Sequence, residues 1–211
     1  MKEEELQDEL ASIRNIMERS SKFISLSGLS GILAGVYALV GAAVAYKILY
    51  PQTPKIYPNS TTGEFYGQSH YFNLEVILLI ALIVFISSIG TGIFLTIRKA
   101  KKNNQPIWGN TSRTLLLNML VPLVTGGVLI LILLGRGYYN VVSPLCLIFY
   151  GLALISASNF TFKDVRYLGL IEIILGLISA CIPNYGLQFW AIGFGVLHII
   201  YGSIMYLKYD R

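Results

Sequence analysis

The stretch LEVILLIALIVFISSIGTGIFLTI, residues 74–97, is apolar on every face. A surface helix would show one apolar stripe, and a barrel strand would alternate apolar with polar positions. Comparable runs recur at about 24–50, 114–134, 141–159, 165–182 and 187–207. Each is near the roughly twenty residues that a helix needs to cross a bilayer. The pattern predicts an all-α integral membrane protein in which six transmembrane helices form one domain over 24–211.

A different pattern precedes them. In MKEEELQDELASIRNIMERSSK the positions Leu6, Leu10, Ile13 and Met17 fall at spacings of four and three, one narrow stripe on a short amphipathic helix over 1–23. Its opening turn is acidic, which suits the positive end of the helix dipole. A helix lying on anionic lipid should be basic on its polar face, so Glu3, Glu4, Glu5, Asp8 and Glu9 direct the stripe toward protein, either this chain's own loops or another subunit. A solvated helical extension with a weak seam is the competing reading, because two heptads do not establish a coiled coil.

Charge adds orientation. Lys2, Arg14, Arg19 and Lys22 precede the first span, Arg98, Lys99, Lys101, Lys102 and Arg113 lie between the second and third, Lys163 and Arg166 between the fourth and fifth, and Lys208 and Arg211 in the tail. Only Lys47, Lys55 and Arg136 fall on the other side. The positive-inside rule therefore predicts both termini in the cytoplasm. The net charge of +5 is accounted for by this bias and implies no nucleic-acid partner. Composition agrees, with 55% hydrophobic and 13% charged residues, about half the charge of a soluble domain. The first span is too long, and its leader too acidic, for a cleaved signal peptide, so a retained signal anchor is expected. The segment SIRNIMERSSKFISLSGLSGILAG, residues 12–35, resembles the opening of an uncharacterised group of small polytopic bacterial inner-membrane proteins. That resemblance implies a bacterial inner membrane and transfers no functional residue.

Within the spans, small residues and ionisable residues carry the remaining information. Ser27, Gly31, Ala34, Gly35, Ala38, Ala42 and Ala45 line one side of the first helix, a surface for close packing inside the chain or, in the minority reading, for a homo-oligomer. Glu172 and His198 stand in matching frames, Gly169-Glu172-Gly176 and Gly195-His198-Gly202. Those offsets put both glycines on the face of the ionisable residue. The four-residue turn PNYG makes the last two helices a hairpin, predicted to pack through these faces with Glu172 beside His198 in the cytoplasmic half of the membrane. Asn118, Ser156 and Asn159 fall in that half too, as does Pro122, which frees the Asn118 carbonyl and offers a hinge. The outer halves are apolar. Glu75 sits near the level of Lys47, close enough in depth to pair with it. Cys146 and Cys181 have no metal-ligand spacing around them, and buried cysteine is usually a small hydrophobe. His70 reads as a loop histidine.

These residues argue against an enzyme without excluding one. Catalysis needs a convergent acid, base and nucleophile or metal, and one Glu, one His and scattered serines supply none of those sets. A channel would be polar through both leaflets. Two readings remain open, neither with a cofactor. One is a non-catalytic subunit or regulator with a polar cavity in the cytoplasmic leaflet, its leader recruiting a partner and its Glu172–His198 pair serving as a packing clasp. The alternative is a small-solute or proton-linked transporter or binding protein that titrates the same pair.

Overall fold

A computed structural model of the chain describes residues 27–50, 69–102 and 108–210, the side chains of 69–74 excepted. The leader helix expected over 1–23 lies outside the described residues. Helices make up 90% of what is described and no strand occurs there, so the backbone satisfies itself within each apolar segment. In chain order they are α1 (Gly28–Leu49), α2 (Ser69–Lys102), α3 (Asn110–Gly135), α4 (Val142–Ser158), α5 (Asp164–Cys181) and a composite α6 (Gly186–Asp210). In α6 the stretches Ala191–Leu197 and Tyr206–Asp210 are wound as π-helix around an α-helical His198–Met205.

Five helices are long and apolar enough to cross a membrane: α1, α2 over Glu75–Lys102, α3, α4 with its leading turn from Tyr139, and α6. The exception is α5, whose 18 residues include Asp164, Arg166 and Glu172. His70, expected in a loop, belongs to the first turn of α2.

Backbone contact at glycines sets the packing. A Cβ on Gly169 of α5 would lie 2.7 Å from the carbonyl oxygen of Gly151 on α4, and one on Gly151 would lie 2.6 Å from that of Gly169. Only glycine lets two helix backbones meet this closely. Gly35 and Gly31 of α1 face Gly195, Ile199 and Gly202 of α6 in the same way, so the small-residue side of α1 is used inside the chain. On its other side Gly41 receives Val84 of α2, while Gly126 of α3 receives the Phe149 ring of α4. The arrangement is a row in which α2 flanks α1, α6 fills the space between α1 and the α4–α5 pair, and α3 leans on α4. Leu154, Val165 and Leu168 form a buried core against which Tyr150, Phe162, Leu197 and Tyr201 pack.

At the face where α1 begins and α6 ends, the last residues of α6 tie four elements together. The Asp210 carboxylate accepts the Gly28 backbone N–H at 2.8 Å and the Ser27 hydroxyl at 3.2 Å, and pairs with Lys99 of α2. It thereby caps the otherwise unsatisfied first turn of α1. Lys208 and Tyr209 both donate to Asp164, at 3.0 and 2.7 Å, and the Tyr209 ring lies 4.1 Å from that of Phe162. We call this last turn the strap. Partial burial opposes ionisation of Asp164, but the hydrogen bonds from Tyr209 and Lys208 outweigh it and hold the carboxyl below its ordinary range. A carboxyl lowered on folding stabilises the fold above its unfolded pKa, and that contribution disappears as pH falls through the folded value. Melting in detergent should therefore weaken below about pH 4, and Asp164→Asn should flatten that acid limb; an unchanged limb would show that other carboxylates set it.

Candidate functional site

Glu172 projects from the middle of α5 and His198 from the midpoint of α6, and the two meet. His198 Nδ1 lies 3.6 Å from Glu172 Oε1. Both residues stand near the middle of their helices, and α6 continues beyond His198 to Asp210. The pair is wholly inside protein: the Glu172 side chain is 0% exposed and that of His198 9%.

The two residues are served unequally. His198 Nε2 lies 2.8 Å from the Tyr150 hydroxyl of α4, and Nδ1 lies 3.0 Å from the Gly193 carbonyl one π-turn earlier in α6. A carbonyl only accepts, so Nδ1–H donates to Gly193; with Nε2 accepting from Tyr150 O–H, a neutral imidazole is satisfied at both nitrogens. Tyr150 and Phe194 flank it, with ring centroids 5.3 and 5.8 Å from that of the imidazole, and Trp190 packs behind Phe194 at 5.2 Å. Glu172 has no such support. Both its carboxyl oxygens are buried without a hydrogen-bond partner. At 3.6 Å the His198 contact is beyond hydrogen-bond length, and Nδ1–H is already engaged. Two orphaned acceptors on one buried group are uncommon and ask for an explanation.

The glycines near the pair have other partners than the matching frames predict. Gly169 and Gly176 of α5 face α4, meeting Gly151, Ile155 and Ile148, while Gly195 and Gly202 of α6 face α1. The residue that does admit α6 to Glu172 is Gly193, where a Cβ would lie 2.6 Å from Glu172 Oε2. Neither Gly193 nor Tyr150 stands out by spacing or depth. Tyr150 does carry a usable signal, being the one phenol of its span, where a buried hydroxyl requires a partner.

The other candidate polar residues do not join the pair. Asn118 is exposed on α3 and donates to the Thr114 carbonyl at 2.8 Å; Ser156 and Asn159 bond to the backbone of their own helix end, at Leu152 and Ser156. Helix α3 runs unbroken through Pro122. Lys47 and Glu75 are exposed and form no ion pair with each other, and Cys146 and Cys181 are free thiols. The cleft outlined by the described residues is shallow and apolar, formed by Ile182, Tyr185, Gln188, Phe189 and Ile192 at the α5–α6 turn, away from the pair.

No family model, curated protein or solved structure matches the chain, so its geometry is what bears on its role.

Proposed function

We propose that the chain is a non-catalytic protein of a bacterial inner membrane, crossing it six times with both termini in the cytoplasm, and that it acts as a subunit or regulator whose Glu172–His198 pair binds a proton. The observation that carries this reading is the buried Glu172 carboxyl without a hydrogen-bond donor beside an imidazole whose two nitrogens are already engaged elsewhere. An ionised carboxylate stranded in such a place is very costly, whereas a protonated one beside a neutral histidine leaves the interior uncharged. Proton occupancy and packing are then one equilibrium.

Sixth-span status for α5 is supported by its charges: Glu172 is turned into protein, and Asp164 and Arg166 lie within its first turn, where charged residues are tolerated at the end of a span. The cytoplasmic orientation rests on the Lys and Arg bias, and the bacterial membrane on the resemblance of residues 12–35. Leu6, Leu10, Ile13 and Met17 would recruit the partner. Small-solute or proton-linked transport through the same pair is the second reading, favoured by the π-wound turn beside His198, which gives α6 a place to move.

The test is infrared titration of the full chain in lipid nanodiscs. The carbonyl stretch of a protonated carboxylic acid should titrate between about pH 4 and 9, and Glu172→Gln, close to isosteric, should remove that band while the protein stays folded. A spectrum with no titrating acid that depends on Glu172 sinks the proposal.

A further inference from the structure

Three observations on α6 share one helix. Its π-wound stretch Ala191–Leu197 ends at His198, the Gly193 carbonyl in that stretch is held by the His198 side chain, and a second π-wound stretch, Tyr206–Asp210, carries the strap. Between them His198–Met205 is regular α-helix, a short rigid rod with a loosened turn at each end. π-turns hold one residue more than the α-helix around them and are places where a helix can change register.

Resting on the proton-binding reading above, we infer that α6 is a register switch operated by the proton on Glu172. When the Glu172 O–H bond breaks and its proton passes to bulk water, the carboxylate becomes the stronger acceptor for His198 Nδ1–H. That hydrogen is 3.6 Å from Oε1 measured from its nitrogen, and the ring reaches bonding distance by a shift of under about 1 Å, pivoting on the Nε2 bond to Tyr150. The Gly193 carbonyl, left by Nδ1–H, is then free to change its backbone partner, and the π-turn tightens toward α geometry. Gly193 permits this because its missing side chain leaves the backbone against Glu172 Oε2 unobstructed. A register change there turns the rod His198–Met205 and pulls on the strap.

The surroundings favour this pair as the trigger. Tyr150 from α4 is the ionisable group bonded to His198, α1 presents Gly31 and Gly35 at this level, and Tyr201 on α6 itself has a buried hydroxyl without a partner one turn toward the strap. At the far end the strap's charges are Asp164, Asp210, Lys99 and Lys208, with Tyr209 between them. The switch joins the buried pair to the face where α1 begins.

Two isotope pairs read it directly. Gly193–Phe194 is the one Gly-Phe step in the chain and Tyr209–Asp210 the one Tyr-Asp step, so labelling glycine carbonyl carbon with phenylalanine nitrogen, or tyrosine carbonyl carbon with aspartate nitrogen, isolates one NMR signal each. In the full chain in nanodiscs, both signals should move with pH and share the midpoint of the Glu172 infrared band. In Glu172→Gln both should stay fixed over that range, and in Glu172→Asp all three midpoints should shift together. If the Glu172 band titrates while either NMR signal stays fixed, the switch is overturned and proton binding stands. If no Glu172 band titrates, proton binding falls and the switch with it. The wild-type comparison of midpoints decides the matter even where a variant does not fold.

Discussion

His198→Ala is expected to cost about 2 to 4 kcal/mol of stability, the largest loss at the candidate site. The substitution orphans the Tyr150 hydroxyl and the Gly193 carbonyl at once. Hydrogen bonds in membrane helices are worth about 0.6 to 1 kcal/mol each, and the truncated ring leaves a cavity between Tyr150 and Phe194 that adds about 1 to 2 kcal/mol. Tyr150→Phe should cost about 1 kcal/mol alone. Because one hydrogen bond is shared, the double variant should lose less than the sum of the two singles. Unfolding in mixed micelles measures all three, and strictly additive losses would show that Tyr150 and His198 are not coupled.

The second large effect lies where α4 meets α5. Gly151→Val and Gly169→Val each force a branched side chain onto the opposing backbone, where even a Cβ would come within 2.6 or 2.7 Å of a carbonyl oxygen. No rotamer change relieves a clash with backbone, so the helices must separate, at about 3 kcal/mol or more. The same chemistry elsewhere supplies the control. A methyl group added at Gly90 or Gly92 of α2 would meet nothing within 4 Å. Gly90→Ala should therefore be neutral, or stabilising by up to about 1 kcal/mol through helix propensity. Equal losses at Gly169 and Gly90 would mean that close approach is not what these glycines provide.

The helices were legible in the sequence because the bilayer demands long apolar runs, and five of the six expected spans meet that demand in length and composition. The meeting of Glu172 and His198 was legible from depth alone, since a short turn forces α5 and α6 to run back along each other. Their glycine partners were not. Spacings of minus three and plus four say which residues share a face of one helix, but not which neighbour that face meets. Gly169 finds Gly151, and Gly202 finds Gly28 and Gly31, across the bundle rather than across the hairpin. Asn118, Ser156 and Asn159 share a depth with one another, yet rotation about the helix axis turns them elsewhere, to bonds with their own backbone. The strap is hidden in the sequence because a charged tail after the last span ordinarily reads as a topology signal. Asp210 is instead a cap for the first described helix, a pairing 182 residues apart that only the folded chain creates.

The row of helices also has an order in time. Helix α2 rests on its predecessor α1, and α3 and α5 both rest on α4, so each of these contacts can form soon after its residues leave the ribosome. The two clusters gain their long-range connection from α6, which lays Gly195 and Gly202 into α1 and sets His198 beside Glu172. Until that helix is made, the glycine face of α1 and the carboxyl of α5 lack their cover. The joining helix is thus the last of the six described helices to leave the ribosome, and a chain stopped before it leaves Glu172 without the cover that α6 gives it.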